Sequence, residues 1–505
     1  MTSLLSRILD CGPKRVPSPI VSTDEVLPCH LLDDTFALRG YTYMWMFHFA
    51  DVLDPDKLHL ALSQLFEMEG WRRLGGRIRL GPNGKAEIHV PRAFTPQRPA
   101  VHFTKEQYTI PMSEHPLASR LPRAGDKPAV VPNASEFQNL GVGPGAARCF
   151  DDFIYSDLPQ FSLHVVTFAD GTLVSLGHSH VTTDLGGVAT ILSAWSLVLA
   201  NRPGDVPPFA TYHDDPMDQL CGPQDPPAKE HVLSDIMLTG WRLVLFGLRL
   251  LFESWWNPPV EARTICVPHK TIDAIVQEAR NQLPHLVGGE SEGAVKREKA
   301  FISEGDVLAA LATHITSRGL PKGSTRRVMT LMVINMRTRA PSVFWPNMSY
   351  VLNASSAIFL SSTANRAQTM SLGELASESR NAITEQATES QIRALASIGR
   401  DTMLRRGREP VFGDINMKLA MISNWSKIRV IDQIDFGPAV LKSTQNNSDA
   451  RGKPIFYHAD NGKQSGGFNM PVFIVMGRDR NGNLWLRGNL PTLMWSDLLE
   501  YLNKV

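Results

Sequence analysis

At 505 residues the chain is longer than one ordinary hydrophobic core organises, so two domains are the expectation. Apolar residues make up 43% and charged residues 20%, the balance of a globular protein in water rather than a disordered or membrane-embedded one. A net charge of +1 gives no electrostatic case for nucleic acid or an anionic membrane as partner.

The chain opens MTSLLSRILD, where Arg7 and Asp10 interrupt any apolar core, so a signal peptide is not expected. The cysteines (Cys11, Cys29, Cys149, Cys221, Cys266) are scattered, odd in number and without a C-x-x-C pair. That pattern disfavours a zinc site and a disulfide framework and fits a reducing compartment, the cytoplasm. The sequons at Asn353 and Asn424 then carry no meaning.

Residues 1–40 are mixed and Pro-rich, ending in Leu27-Pro-Cys-His-Leu-Leu-Asp-Asp34. Tyr41 to Phe49 is aromatic and strand-like. Asp54-Pro55 opens a helix with a stripe at Leu58, Ala61, Leu62, Leu65 and Phe66. Arg77–Leu80 and Ala86–Val90 flank Gly81-Pro-Asn-Gly84 as a hairpin. Residues 91–147 are polar and weakly periodic and read as a long surface excursion. Within them Gly141-Val-Gly-Pro-Gly145 lacks the strand and helix of a phosphate loop and reads as a plain loop.

Phe161–Phe168 and Thr172–Leu176 flank Asp170-Gly171, a second hairpin signal. The second strand runs into Ser175-Leu-Gly-His-Ser-His-Val-Thr-Thr-Asp-Leu-Gly-Gly187. A helical pattern at Val188, Ile191, Leu192, Trp195 and Leu199 follows. This order sets the His180 imidazole at a strand end, with Asp184 close enough to organise its loop. A neutral imidazole near pH 7 can take a proton from a hydroxyl, which suits a general base. Alone, an H-x-x-x-D match is a chance event in many chains.

Residues 202–230 are rich in Pro, Asp and Gly and read as a linker. The run Ile236–Trp256 is the most apolar of the chain, yet Arg242, Arg249 and Glu253 share one helical face and argue against a membrane span. Burial against the domains is the expectation, with a partner-facing amphipathic helix as the other reading. Residues 284–298 are rich in Gly and charge. Ser303-Glu-Gly-Asp306 is a capping-box start for a helix to Ser317. Val328–Met336, apolar on both faces, reads as a central strand ending at Arg337-Thr-Arg339. Tyr350–Leu360 reads as a strand and Leu372–Leu395 as a helix. Val472–Met476 and Leu484–Arg487 flank Arg480-Asn-Gly482 as a hairpin, and a closing helix spans Pro491–Leu502.

Ile422-Ser-Asn-Trp-Ser-Lys-Ile428 precedes Asp435-Phe436-Gly437. The triplet is not that of a protein kinase, since no glycine loop, strand lysine or H-R-D loop stands upstream. In order and spacing, His180-x-x-x-Asp184 with its glycines, Arg337-x-Arg339, Ser423-Asn-Trp425 and Asp435-Phe-Gly437 resemble the BAHD-like acyl-CoA-dependent transferases. The match is to their fungal secondary-metabolite branch and runs from about residue 27 to 503. Leu185 stands where the family often has Gly, and Pro438-Ala439 replaces the Trp-Gly of plant members, which argues against a plant-type substrate.

The resemblance implies an α/β protein of two chloramphenicol-acetyltransferase-like domains, each a mixed sheet with flanking helices, enclosing a central tunnel. The expected divisions are 1–204, carrying the histidine motif, 205–262, the crossover with its apolar helix, and 263–505, carrying Asp-Phe-Gly. CoA and acceptor would enter from opposite mouths and meet at His180, the base. No acyl-enzyme is required, and no Ser or Cys stands beside this base as a nucleophile. Asp184 would pair with Arg337 and support the loop rather than orient the imidazole. Trp425 and Ser423 are oxyanion candidates, with core packing as the plainer reading of Trp425. Asp435, Phe436 and Gly437 would serve loop architecture, and His178 the strand end.

The implied activity is O-acyl transfer, most often acetyl transfer, to a hydroxyl of a hydrophobic secondary metabolite. Acyl-CoA, with acetyl-CoA foremost, is a co-substrate; no bound cofactor, metal, nucleic acid or transmembrane segment is expected, and the chain reads as a monomer. A condensation-type transferase using a carrier-protein thioester or an amine acceptor is the alternative, with a non-catalytic ligand-binding relative as the competing class.

Overall fold

The computed structural model describes residues 15–222, 230–257, 260–283, 301–443, 445, 448–461 and 470–504. The readings of the first ten residues and of 284–298 lie outside the described residues.

Two large sheets carry the molecule. In chain order their strands are β1 (Thr42–Phe49), β2 (His102–Gln107), β3 (Ala129–Val131), β4 (Phe161–Thr167), β5 (Thr172–Ser179), β6 (Glu261–Val267), β7 (Arg327–Asn335), β8 (Ser355–Thr363), β9 (Lys418–Asn424), β10 (Phe456–Asp460), β11 (Val472–Arg478) and β12 (Leu484–Leu490). The first sheet has the order β10-β1-β5-β4-β2, the second β8-β7-β9-β11-β12-β6-β3. Both are mixed: β2 runs parallel to β4, and β9 runs parallel to β7 and β11, while the other pairs are antiparallel.

The aromatic run Tyr41–Phe49 becomes β1 because large flat side chains suit a pleated, covered surface. Trp45, Phe47 and Phe49 share one face of β1 and are buried. Helices α1 (Pro55–Leu65) and α2 (Leu185–Leu199) cover that face. The Asp54 carboxylate caps α1 by accepting from the Asp56 and Lys57 amides. The second sheet packs its own cluster against α4 (Glu304–Arg318), whose start is the expected Ser303–Asp306 capping box.

The halves exchange strands. β10, from the C-terminal half, pairs with β1, and β3, from the N-terminal half, pairs with β6. Cuts at 204 and 263 therefore do not separate the two sheets. Residues 91–147 are more than a surface excursion: they supply β2 and β3 and bury Phe137 and Leu140 against Met44 and Met46 of β1. The helix expected over 372–395 is two helices, α5 (Leu372–Gln386) and α6 (Glu389–Arg406), because Thr388 starts a new N-cap, accepting from the Gln391 amide. The strand expected from Tyr350 begins only at Ser355, since the residues before it are spent on other bonds.

The largest correction concerns the apolar run, which forms helix α3 (Gly240–Trp256). Among its residues only Phe246 is buried, and the remaining apolar stripe faces outward. The reason is Glu253: besides Arg249 of the same helix at 3.1 Å, its carboxylate is ion-paired with Lys418 at 3.4 Å and with Arg326, and these last two cations lie on the body of the protein. Pairing them turns the charged edge of the helix inward.

Candidate active site

His180 is the first residue beyond β5, and its backbone N–H still donates to the Tyr41 carbonyl at 2.9 Å. The chain then turns through Val181–Thr183 into α2, capped by Asp184, whose carboxylate accepts from the Gly187 amide at 2.9 Å. The trailing glycines are required by crowding. A Cβ on Gly187 would collide with the Val351 carbonyl oxygen and with Thr183 Oγ1, and one on Gly186 would lie 2.6 Å from Arg337 Nη1.

Residues 350–355 of the other half strap this loop. Thr183 Oγ1 donates to the Val351 carbonyl at 2.6 Å, and Asn353 Nδ2 donates to the His180 carbonyl at 3.0 Å. The Asp184 carboxylate accepts from the Ala354 amide at 2.9 Å and from the Ser355 hydroxyl at 3.1 Å. Arg337 completes the set, 2.9 Å from Asp184, while its Nε donates to the Tyr350 carbonyl at 2.7 Å and its Nη2 to the Leu352 carbonyl. Burial alone would raise the Asp184 pKa, but Arg337 and these hydrogen bonds hold it below the ordinary carboxylate value. Asp184 is thus fully engaged as an anion on the loop and on the other half.

The imidazole of His180 is mostly buried, and its ring lies edge-on to Tyr43 at 5.3 Å. No hydrogen bond of good geometry reaches its buried Nδ1. Burial lowers its pKa below 6.5, opposed by its own carbonyl, by Asp184 and by Asn353. The ring is therefore neutral at pH 7, the form a general base needs. His178, by contrast, is fully committed. Its Nε2 accepts from Trp45 Nε1 at 2.9 Å, its Nδ1 lies 2.8 Å from the Ser179 carbonyl, and burial takes its pKa to about 3.

Trp425 and His180 are joined by a ladder of rings. Trp425 packs on Trp45 at 5.4 Å, Trp45 on Tyr43 at 5.2 Å, and Tyr43 on His180. Trp425 is buried in the core, and its indole N–H donates to Ser423 Oγ at 2.8 Å. That spends the side-chain donor of Trp425; the Ser423 hydroxyl, partly exposed, keeps its own proton. Phe436 is buried against Trp195 and Phe49, and the Asp435 carboxylate accepts from the Gly437 amide at 3.0 Å. Trp195 lies eleven residues along α2 from the Asp184 cap, about 16 Å at the helical rise, so the Asp-Phe-Gly loop holds the far end of that helix.

A small cavity of about 10 Å³, room for roughly one water, lies beside the strap. Its wall includes His30, Thr211, Met336, Tyr350, Asn353 and Ala354; His180 itself is not part of that wall. Both nitrogens of His30 and the Thr211 hydroxyl are buried without a hydrogen-bond partner. Burial, helped by Arg73, lowers His30 to about 3, so its ring is neutral and offers one donor and one acceptor.

Reasoning from the sequence missed Asn353 and Asp33. The Asn353 side chain, dismissed as a sequon, bonds at once to the His180 carbonyl and to Asp33 Oδ1. Asp33 belongs to the Leu-Leu-Asp-Asp stretch, where two adjacent acids in an apolar setting were the available signal. Among the described residues no group of three or more histidine, cysteine or acidic side chains is placed to hold a metal ion, and no described helix is long and apolar enough to cross a membrane.

A two-lobed α/β scaffold with a strand-end histidine strapped by the opposite lobe defines a class of acyl-transfer proteins. Comparison with known proteins bears this out. The O-acetyltransferase PaAT-2 of Phomopsis amygdali is 33% identical over 491 residues, 96% of this chain and 99% of that protein. A protein called transcriptional regulator calD, of Penicillium decumbens, is 32% identical over 493 residues, 95% of this chain and 96% of that one. Among solved structures, F. graminearum TRI101 in complex with coenzyme A and T-2 mycotoxin superposes with a TM-score of 0.62 at 14% identity, over 94% of this chain and 96% of that one. No family model matches the chain. The chain belongs to the BAHD-like acyltransferases, in their fungal branch, and is an acyltransferase.

Proposed function

We propose that this protein is an acyl-CoA-dependent O-acetyltransferase acting on a hydroxyl of a hydrophobic secondary metabolite, with His180 as general base. The observation that carries the reading is His180 itself. It is a neutral imidazole, held at the junction of the two halves by Asn353 and by the loop that Asp184 and Arg337 brace. His180 takes the proton of the acceptor hydroxyl as its oxygen attacks the thioester carbonyl. The Ser423 hydroxyl is the better placed of the two oxyanion donors, since the Trp425 N–H already serves Ser423. Collapse of the tetrahedral intermediate breaks the C–S bond. The CoA thiolate takes the proton from the imidazolium, leaving ester and free thiol.

Acetyl as the group and a hydroxyl as the acceptor follow the O-acetyltransferase PaAT-2, and CoA as the carrier follows the TRI101 complex. A cytoplasmic setting completes the proposal, since scattered cysteines without a C-x-x-C pair fit a reducing compartment.

The test is His180→Ala. Transfer from acetyl-CoA to a panel of hydroxylated metabolites should fall by about 10²–10⁴-fold, with CoA binding and the melting temperature kept. Undiminished turnover would remove His180 as the base. The regulator's name on calD favours a second reading, a non-catalytic ligand-binding relative. No turnover by the wild-type chain, with binding of CoA and metabolite retained, would establish it. Profiling longer acyl-CoAs and carrier-bound thioesters separates acetyl transfer from condensation chemistry.

A further inference from the structure

Helix α3 has the polarity of a buried helix turned over. Trp241, Val244, Leu245, Leu248, Leu251, Phe252, Trp255 and Trp256 are all exposed, the three tryptophans at 68%, 77% and 70%. At about 100° per residue these eight positions fill one continuous stripe about 140° wide. Four aromatic rings of 150–250 Å² each put the apolar area above the ~300–600 Å² of the largest patch on a typical monomer. A face of this size and order has an occupant.

Its details say which. The aromatic rings stand at the two ends of the stripe, Trp241 at one and Phe252, Trp255 and Trp256 at the other, with aliphatic residues between. Phe252 stacks on Trp256 at 6.0 Å, and Trp255 lies 6.2 Å from Trp256. Indole rings favour the boundary between headgroups and acyl chains, where an apolar body and a polar N–H are both accommodated. A helix from a second copy would call for a narrower seam.

Charge points the same way. Arg242 and Arg249 border the stripe on one side. The Glu253 carboxylate is shared with Arg326 and Lys418, both largely buried, so it does not neutralise Arg249, whose side chain is 37% exposed. At the start of the helix, the Leu238 amide donates to the Val411 carbonyl at 2.8 Å and the Gly413 amide to the Ile236 carbonyl at 2.9 Å. Val411 follows α6, whose exposed end carries Leu404, Arg405 and Arg406; Arg405 is paired with Asp401 at 2.5 Å, which leaves Arg406 as the added charge. The chain's net charge of +1 averages this local excess away.

We propose that α3 docks the protein on an anionic, phosphate-bearing bilayer surface, lying in the headgroup plane with its stripe inserted and its arginines at the phosphates. It does not cross: α3 has 17 residues, and Glu253 ties it to the body of the protein. The inference is independent of the reaction and of His180.

The test is co-sedimentation with vesicles of phosphatidylcholine containing phosphatidylserine, and with vesicles of phosphatidylcholine alone. The wild-type chain should sediment with the mixed vesicles, less with the neutral ones, and be released by salt. Leu248→Ser/Trp255→Ser/Trp256→Ser should bind the mixed vesicles at least about tenfold more weakly, with the melting temperature unchanged. Arg405→Glu/Arg406→Glu should lose only the preference for phosphatidylserine. Failure of the wild type to sediment, or equal sedimentation of the triple variant, overturns the proposal. A doubled mass in analytical ultracentrifugation that the triple variant halves, without vesicle binding, gives the face to a second copy instead.

Discussion

Arg337 stands 2.9 Å from Asp184, and through this pair the half that carries β7 grips the loop that carries His180. The grip is a network: the same carboxylate holds the Ala354 amide and the Ser355 hydroxyl, and the same guanidinium holds the Tyr350 and Leu352 carbonyls. Removing either charge leaves its partner buried and uncompensated, at a cost of about 3–5 kcal/mol. Asp184→Asn and Arg337→Met should each lower both the melting temperature and the transfer rate. The double variant should cost less than the sum of the two, since it strands no charge. Calorimetry alongside steady-state kinetics checks this. A rate lost at unchanged melting temperature would give Asp184 a direct part in the chemistry.

The burial of His180 sets the acid limb of the pH profile. Its folded pKa lies below the unperturbed 6.5, so the neutral base persists to more acid pH than a free imidazole would. Transfer rates measured under saturating substrates should stay level through pH 6.5 and fall only below it. The same shift makes protonation favour the unfolded chain, so this residue subtracts stability as pH drops below 6.5. An acid limb centred above 6.5 would exclude a buried His180 as the group that titrates.

His180, Asp184 and Arg337 were legible because polar residues at strand ends, next to glycines, break an apolar pattern in a way packing alone does not require. Their partners were not. Asp33 and Asn353 stand 320 positions apart, and neither stretch tells that the two will be bonded to each other. The strand exchange was hidden for the same reason: β10 lies more than 400 positions from β1 and finds it only in three dimensions. Helix α3 shows a different limit. Periodicity gives the stripe, but which side meets the protein is decided by Arg326 and Lys418, which lie beyond the helix in sequence.

The hydrogen bond from the Trp425 indole to Ser423 separates two substitutions the sequence did not distinguish. If the Ser423 hydroxyl meets the oxyanion, Ser423→Ala should lower kcat by about 10²–10³-fold with little change in the KM for either substrate. A buried ring packed on Trp45 contributes mainly stability, so Trp425→Phe should lower the melting temperature and reduce kcat far less. Single-turnover measurements on both variants read the difference. A larger kcat loss in Trp425→Phe than in Ser423→Ala would reverse the assignment.

Asp33 yields a stability prediction with a defined sign. Its Oδ1 accepts from the Asn353 amide and from Asn353 Nδ2, each at 2.9 Å, while burial raises its pKa from 3.8 to about 7 against the pull of Asn353 and Arg73. Between those values the folded chain holds a proton that the unfolded chain has released. Stability contributed by this group is therefore full below pH 3.8 and declines as pH rises, until it is lost above about 7. Asp33→Asn keeps an acceptor for Asn353 and removes the titration. The wild-type unfolding free energy should fall relative to the variant's between about pH 4 and 7, by an amount on the order of a few kcal/mol. Urea denaturation across that range gives the comparison, and parallel curves for the two proteins would show that Asp33 is already ionised in the folded state.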